Sequence, residues 1–295
     1  MMFSVNHNSQ SALRVFTMSA FFTAIVLASS GAVPVQAAST RPAKAVYDSG
    51  VIVRPAHVAP YAAKKENTKR VAFMWDGSWL VLHGLNGYTA SKGIPTKVTD
   101  ALDKANADSK EIKDVAFTAD DNWVVITGRN ALYASADFSE KAYTKLSALN
   151  DKGEDIKFIS FMDDGSYAIV WGDNGYSSLG VPDDLTTELD KINNASEVIK
   201  DIAFVTTAST DSNNPSAAWL VLIGTNAAVW SKGVPTKLVE VLKKKNANGD
   251  SINSAAFASD GNWVLLANDN DATYTLDLPG ALITELKLLA GDTSP

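Results

Sequence analysis

The chain has 295 residues, 46% apolar and 20% charged, with a formal net charge of −7; this excludes a disordered or fibrous protein and supplies enough apolar side chain for a large core. The acidic balance argues against nucleic acid or an anionic membrane surface as the main partner. With no cysteine and only His7, His57 and His83 as histidines, the composition excludes disulfides, thiol chemistry, cysteine-ligated zinc and a multi-histidine metal site in the mature chain. No cofactor is expected.

Residues 1–37 read as a secretory signal. Arg14 is their one charge, residues 15–27 form an apolar stretch broken only by Thr17, Ser19 and Thr23, and Val35-Gln36-Ala37 offers the small residues of a cleavage site. A stretch of thirteen residues is too short to span about 30 Å of hydrocarbon, so no membrane span is expected after signal removal. The expected location is secreted or periplasmic, with cleavage near Ala37 or Ala38. Residues 38–67, rich in Ala, Pro and Lys, are either a linker or a strand tying the chain ends together.

From residue 68 to 295 the chain repeats itself. Phe73, Phe117, Phe161, Phe204 and Phe257 are separated by 44, 44, 43 and 53 residues, a period in the range of solenoids and propellers. Six residues on comes a large aromatic (Trp79, Trp123, Tyr167, Trp263), with Trp219 displaced by an insertion. The Asp and Gly between them, as in Asp76-Gly77 and Asp164-Gly165, predict a tight hairpin. An apolar run follows (Leu80-Val81-Leu82 in the first repeat) that does not alternate, so it predicts a strand buried on both faces. Asn86, Asn130, Asn174, Asn226 and Asn270 then mark a second turn, twice as Asn-Gly, and a short third strand leads away from it.

Each unit ends in a helix. Pro95, Pro182, Pro235 and Pro279, replaced by Ser139 in the second copy, are expected at the first helical position. Val98, Ala101, Leu102 and Ala105 show the helical period and predict one buried stripe. The insertion at 206–218 is rich in Ser, Thr, Asn and Asp and predicts a solvated loop. The basic run Lys243-Lys244-Lys245 falls at a helix end, where cations complement the dipole.

The fold class predicted is α+β: five βββα repeats closing into a propeller-like ring, since no unit can bury its sheet alone. The small residue before each phenylalanine (Ala72, Ala116, Ser160, Ala203, Ala256) suggests strands crowding near an axis. The pattern resembles bacterial secreted proteins built of propeller-like repeats, with an aromatic-led apolar strand and an Ile-Pro-led helix such as Ile94-Pro95. In architecture it is also similar to the five-fold α/β propellers, the pentein group, whose guanidine-modifying enzymes rely on a catalytic cysteine that this chain lacks. The resemblance implies a scaffold and no particular reaction. An open solenoid is the alternative.

Two functions follow. The first is a non-catalytic binding scaffold for an extracellular or periplasmic glycan or protein. The second is a hydrolase using paired carboxylates, with Asp163-Asp164, Asp183-Asp184 and Glu154-Asp155 as candidates. Ten residues after each phenylalanine, with the insertion in the fourth repeat allowed for, stand His83, Thr127, Trp171, Ile223 and Ala267. This position is not dictated by the scaffold, so His83, Thr127 and Trp171 are the candidate ligand-binding residues.

Overall fold

The computed structural model describes residues 66–205 and 218–292. The signal segment, His57 with the rest of 38–65, and the insertion up to residue 217 lie outside the described residues.

Each repeat is one antiparallel three-stranded sheet followed by a helix. The first holds β1 (Thr68–Phe73), β2 (Trp79–His83), β3 (Gly87–Ala90) and α1 (Thr96–Ala107). The second holds β4 (Ile112–Phe117), β5 (Trp123–Thr127), β6 (Ala131–Ala134) and α2 (Glu140–Asp151). The third is β7 (Ile156–Phe161), β8 (Tyr167–Trp171), β9 (Gly175–Leu179) and α3 (Asp183–Asn194). The fourth is β10 (Ile199–Val205), β11 (Ala218–Ile223), β12 (Ala227–Trp230) and α4 (Thr236–Asn248). The fifth is β13 (Ile252–Phe257), β14 (Trp263–Ala267), β15 (Asp271–Tyr274) and α5 (Gly280–Leu289). Among the described residues no helix is long and apolar enough to cross a membrane.

The apolar runs fail to alternate because the hydrophobic cores lie between repeats rather than within them. Leu80 and Leu82 pack with α1 against Ile112, Val115 and Val125 of the second repeat, whereas Val81 faces the other way. The same division holds for Val124 and Ile126 against Val125, and for Leu220 and Leu222 against Val221. In the fifth core, Val264, Leu266 and α5 (Leu282, Leu286, Leu289) pack on Val71, Trp79 and Val81 of the first repeat. Hydrogen bonds join the same two repeats: Thr68 N donates to Asn270 Oδ1 (3.2 Å), Ser259 Oγ to the Trp75 carbonyl (2.8 Å) and Thr89 Oγ1 to Glu285 Oε1 (2.9 Å).

The first turn is built as its residues predict. Asp76, Asp164 and Asp260 each accept from the backbone N–H two residues on, and Gly77, Gly165 and Gly261 take positive φ. Despite the insertion, Phe204 pairs with Trp219 just as Phe73 pairs with Trp79.

Two local expectations are corrected. The second turn is not a two-residue Asn-Gly turn: positive φ falls on Gly84, Gly128, Gly172, Gly224 and Asn268, while Gly87 and Gly175 open the third strands. The asparagines instead stitch the turn to the neighbouring helix end, Asn130, Asn174 and Asn226 each donating at 3.3 Å to a carbonyl of the last helical turn (Asn150, Asn193, Asn246). The prolines stand at the N-cap, one residue before the first helical position, with φ near −55° and extended ψ. Ser139 caps the second helix through its side chain, accepting from Ala142 N at 3.4 Å.

Candidate functional site

The first strands of all five repeats line one narrow central cavity of about 120 Å³. Their phenylalanines, Phe73, Phe117, Phe161, Phe204 and Phe257, gather at one end with Met74, Trp75 and Met162 around a space of about 90 Å³. Three residues before each phenylalanine stand Arg70, Asp114, Phe158, Asp201 and Ser254, and four before stand Lys69, Lys113, Lys157, Lys200 and Asn253.

The lysine position is special for a backbone reason. Every first strand carries one extra residue relative to its partner: in the second repeat Ile112 pairs with Thr127 and Asp114 with Ile126, leaving Lys113 unpaired between them. The same shift isolates Lys69, Lys157, Lys200 and Asn253. Such a bulge breaks the alternation and re-aims its side chain. The lysines reach across the gap to the next repeat: Lys69 Nζ donates to the Ile112 carbonyl (2.6 Å), Lys113 to Ile156 (3.1 Å) and Lys200 to Ile252 (3.1 Å).

Together they form a funnel of about 530 Å³ opposite the phenylalanine end. Its walls carry the four lysines, Arg129 and Asn253, with Glu111 and Asp155 as the acids, and Arg70, Phe158 and Ser254 below. A concave basic surface on an acidic chain stands out. Lys69 pairs with Glu111 at 3.0 Å, while Asp155 is shared, by Lys113 and by Lys157 (2.6 Å). Although burial works against its charge, those two lysines hold the Asp155 carboxyl below its ordinary pKa. Burial lowers the Lys200 pKa.

Beneath the funnel lies a buried ionic layer. Arg70 pairs with Asp201 and, through Nε, with Asp114 Oδ1 at 3.2 Å, while its guanidinium carbon sits 4.7 Å from the Phe158 ring centroid. Asp114 accepts from Ile159 N, and Asp201 from Ile202 N, Ala255 N and Ser254 Oγ. Burial pushes the Asp114 carboxyl above its ordinary pKa, with Arg70 opposing it. Burial also opposes the Arg70 charge, yet the two carboxylates keep its pKa raised.

His83, Thr127 and Trp171 end the second strands of three different repeats, and none of them lines the funnel. His83 is buried with Nδ1 2.6 Å from Glu66 Oε2. Thr127 is fully buried, its hydroxyl without a hydrogen-bond partner among the described residues. Trp171 is half-buried beneath the Lys145 ammonium, 5.2 Å from its ring centroid. Of the paired carboxylates, Asp164 closes its own turn and Asp184 accepts from Trp219 Nε1 at 3.1 Å. Asp155, held ionised by two lysines, is the opposite of the raised carboxyl a general acid requires. Among the described residues no cluster of metal-ligating side chains is present. The sequence did carry a signal for the funnel, since lysine recurs at one register in four of five repeats. The ionic layer had none, because its register, Arg70, Asp114, Phe158, Asp201 and Ser254, holds no side chain common to the repeats.

No protein-family model matches the chain, and no curated protein does. Among solved structures, a chain described as YCF48 bound to D1 peptide aligns over 80% of this chain and 72% of its own length. It does so at 10% identity and a TM-score of 0.29, a likeness from which nothing is carried over.

Proposed function

We propose that this is an exported, non-catalytic binding scaffold whose five repeats close into one ring and whose axial funnel receives an extracellular or periplasmic glycan or protein. The observation that carries it is the funnel: about 530 Å³, walled by lysines that the bulges project inward, on a chain of net charge −7. Its volume is that of ordinary ligand sites. Closure is supported by the fifth core, which joins first and fifth repeats through the same positions that join every other neighbouring pair. Export is supported by the signal-like residues 1–37, and a secreted product whose mass begins near Ala38 or Ser39 is expected.

The test is a glycan and peptide array followed by hydrogen–deuterium exchange with whatever binds. Protection should appear at residues 67–70, 111–113, 155–158 and 198–201. Protection confined to other surfaces, or no array ligand, would overturn the assignment.

A further inference from the structure

The repeats provide their own comparison for the funnel charges. Six residues before the phenylalanine register, immediately ahead of the next first strand, stand Glu111 in the second repeat and Asp155 in the third. Each meets the lysine of the repeat before it, Lys69 or Lys113. In the fourth repeat that position is Val198, and in the fifth it is Ser251. Lys157 therefore has no acid ahead of it and turns back to Asp155, already engaged by Lys113. Among the described residues Lys200 is held only by neutral acceptors: Ser251 Oγ (2.9 Å), the Thr225 and Ile252 carbonyls (3.4 and 3.1 Å) and Asn253 Oδ1 (3.2 Å). Val198, an apolar side chain left 41% exposed, occupies the place where the first two junctions keep their carboxylate.

We propose that the wall between Lys157 and Lys200 seats a carboxylate brought by the ligand, and that the ligand is an acidic sugar. This rests on the binding-scaffold reading above and names the chemistry of its site. A single carboxylate is the group the sequence omits, and it accepts from two ammonium groups at once. A sugar suits the remaining wall, which beside the lysines carries the polar side chains of Asn253 and Ser254. The surplus charge is partly solvated, so the attraction is salt-sensitive.

The probe is trigalacturonic acid, compared by calorimetry with its methyl ester on the full mature protein. The acid should bind and the ester should lose about tenfold or more in affinity. Lys200→Gln should weaken the acid similarly. Val198→Asp, which installs the missing acid beside Lys157, should do the same while leaving the melting temperature equal or higher. Equal affinity for acid and ester overturns the proposal, and so does full affinity in both variants. If neither form binds but an array ligand protects the funnel, the acidic-sugar inference fails and the scaffold reading stands. A poly-glutamate peptide or inorganic phosphate that outcompetes the sugar acid also overturns it. If nothing protects the funnel, both fail.

Discussion

The guanidinium of Arg70 in the first repeat is paired with the carboxylate of Asp201 in the fourth, 131 positions further along the chain. The same guanidinium reaches Asp114 of the second repeat and lies over Phe158 of the third, while Asp201 accepts from Ser254 and Ala255 of the fifth. One buried layer therefore joins all five repeats through a cation shared by two anions. Its worth is registry more than raw stability, because desolvating three charges cancels much of their attraction.

Arg70→Met should cost about 3–5 kcal/mol in urea unfolding at pH 7, since it leaves two buried carboxylates without their cation. The cost should depend on pH. Asp114 already has a raised pKa through burial, and losing Arg70, which opposes that rise, lifts it further. A carboxyl whose folded pKa is raised contributes stability below its unfolded value of 3.8, a contribution lost as pH rises through the folded pKa. The variant's deficit should thus shrink steadily from pH 7 towards pH 4. A deficit constant over that range would show that Arg70 does not compensate buried charge.

Much of the architecture was legible because its causes are local. Phe73 and its four counterparts mark the register, and Asp76-Gly77 writes a turn that its own side chain closes. The apolar runs announce burial on both faces, which the cores between repeats explain. What was misread depended on contacts between strands. Asn86-Gly87 reads as a turn dipeptide, yet that glycine is needed because His83 lies across from it, and Gly175 answers to Trp171 in the same way. Where the facing residue is smaller or differently placed, the repeat has Ala131, Ala227 or Asp271 instead. In two repeats that position also meets a packing demand, His83 against Gly87 and Trp171 against Gly175. Arg70, Asp114 and Asp201 were invisible because their relationship exists only where strands from separate repeats converge.

Gly175→Ala tests that pairing. A Cβ at Gly175 would lie 2.5 Å from Trp171 Nε1, so the ring must move or the strand must part. The expected loss is about 1–3 kcal/mol, as for other overpacked sites. Trp171→Ala in the same chain should recover most of it, giving a coupling well above the error of a double-mutant cycle. Additive losses would mean that the ring swings aside freely.

Closure has an equally direct test. Leu149 in α2 and Leu289 in α5 hold equivalent places, each buried against the next repeat's sheet. In a closed ring both substitutions to Ala should cost about 2–5 kcal/mol. A fraying fifth junction would make Leu289→Ala far cheaper. Deleting residues 253–295 removes α5 and uncovers Val71, Trp79 and Val81. That truncation should abolish the cooperative thermal transition, and a sharp melt at the parent temperature would sink closure.

Asp155 should have opposite effects on stability and on binding. Lys113 and Lys157 hold its pKa down, so its contribution is present above the unfolded value of 3.8 and is lost as pH falls through the lower folded value. The carboxylate is partly solvated, so screening limits Asp155→Asn to about 0.5–1 kcal/mol at pH 7. The gap to the parent should narrow as the pH is taken below 3.8. With the internal acid gone, Lys113 and Lys157 are both released to an incoming carboxylate. Trigalacturonic acid should then bind Asp155→Asn several-fold more tightly than the parent, with the gain disappearing at high salt. Weaker binding by the variant would mean that Asp155 orients the lysines for the ligand instead of competing with it.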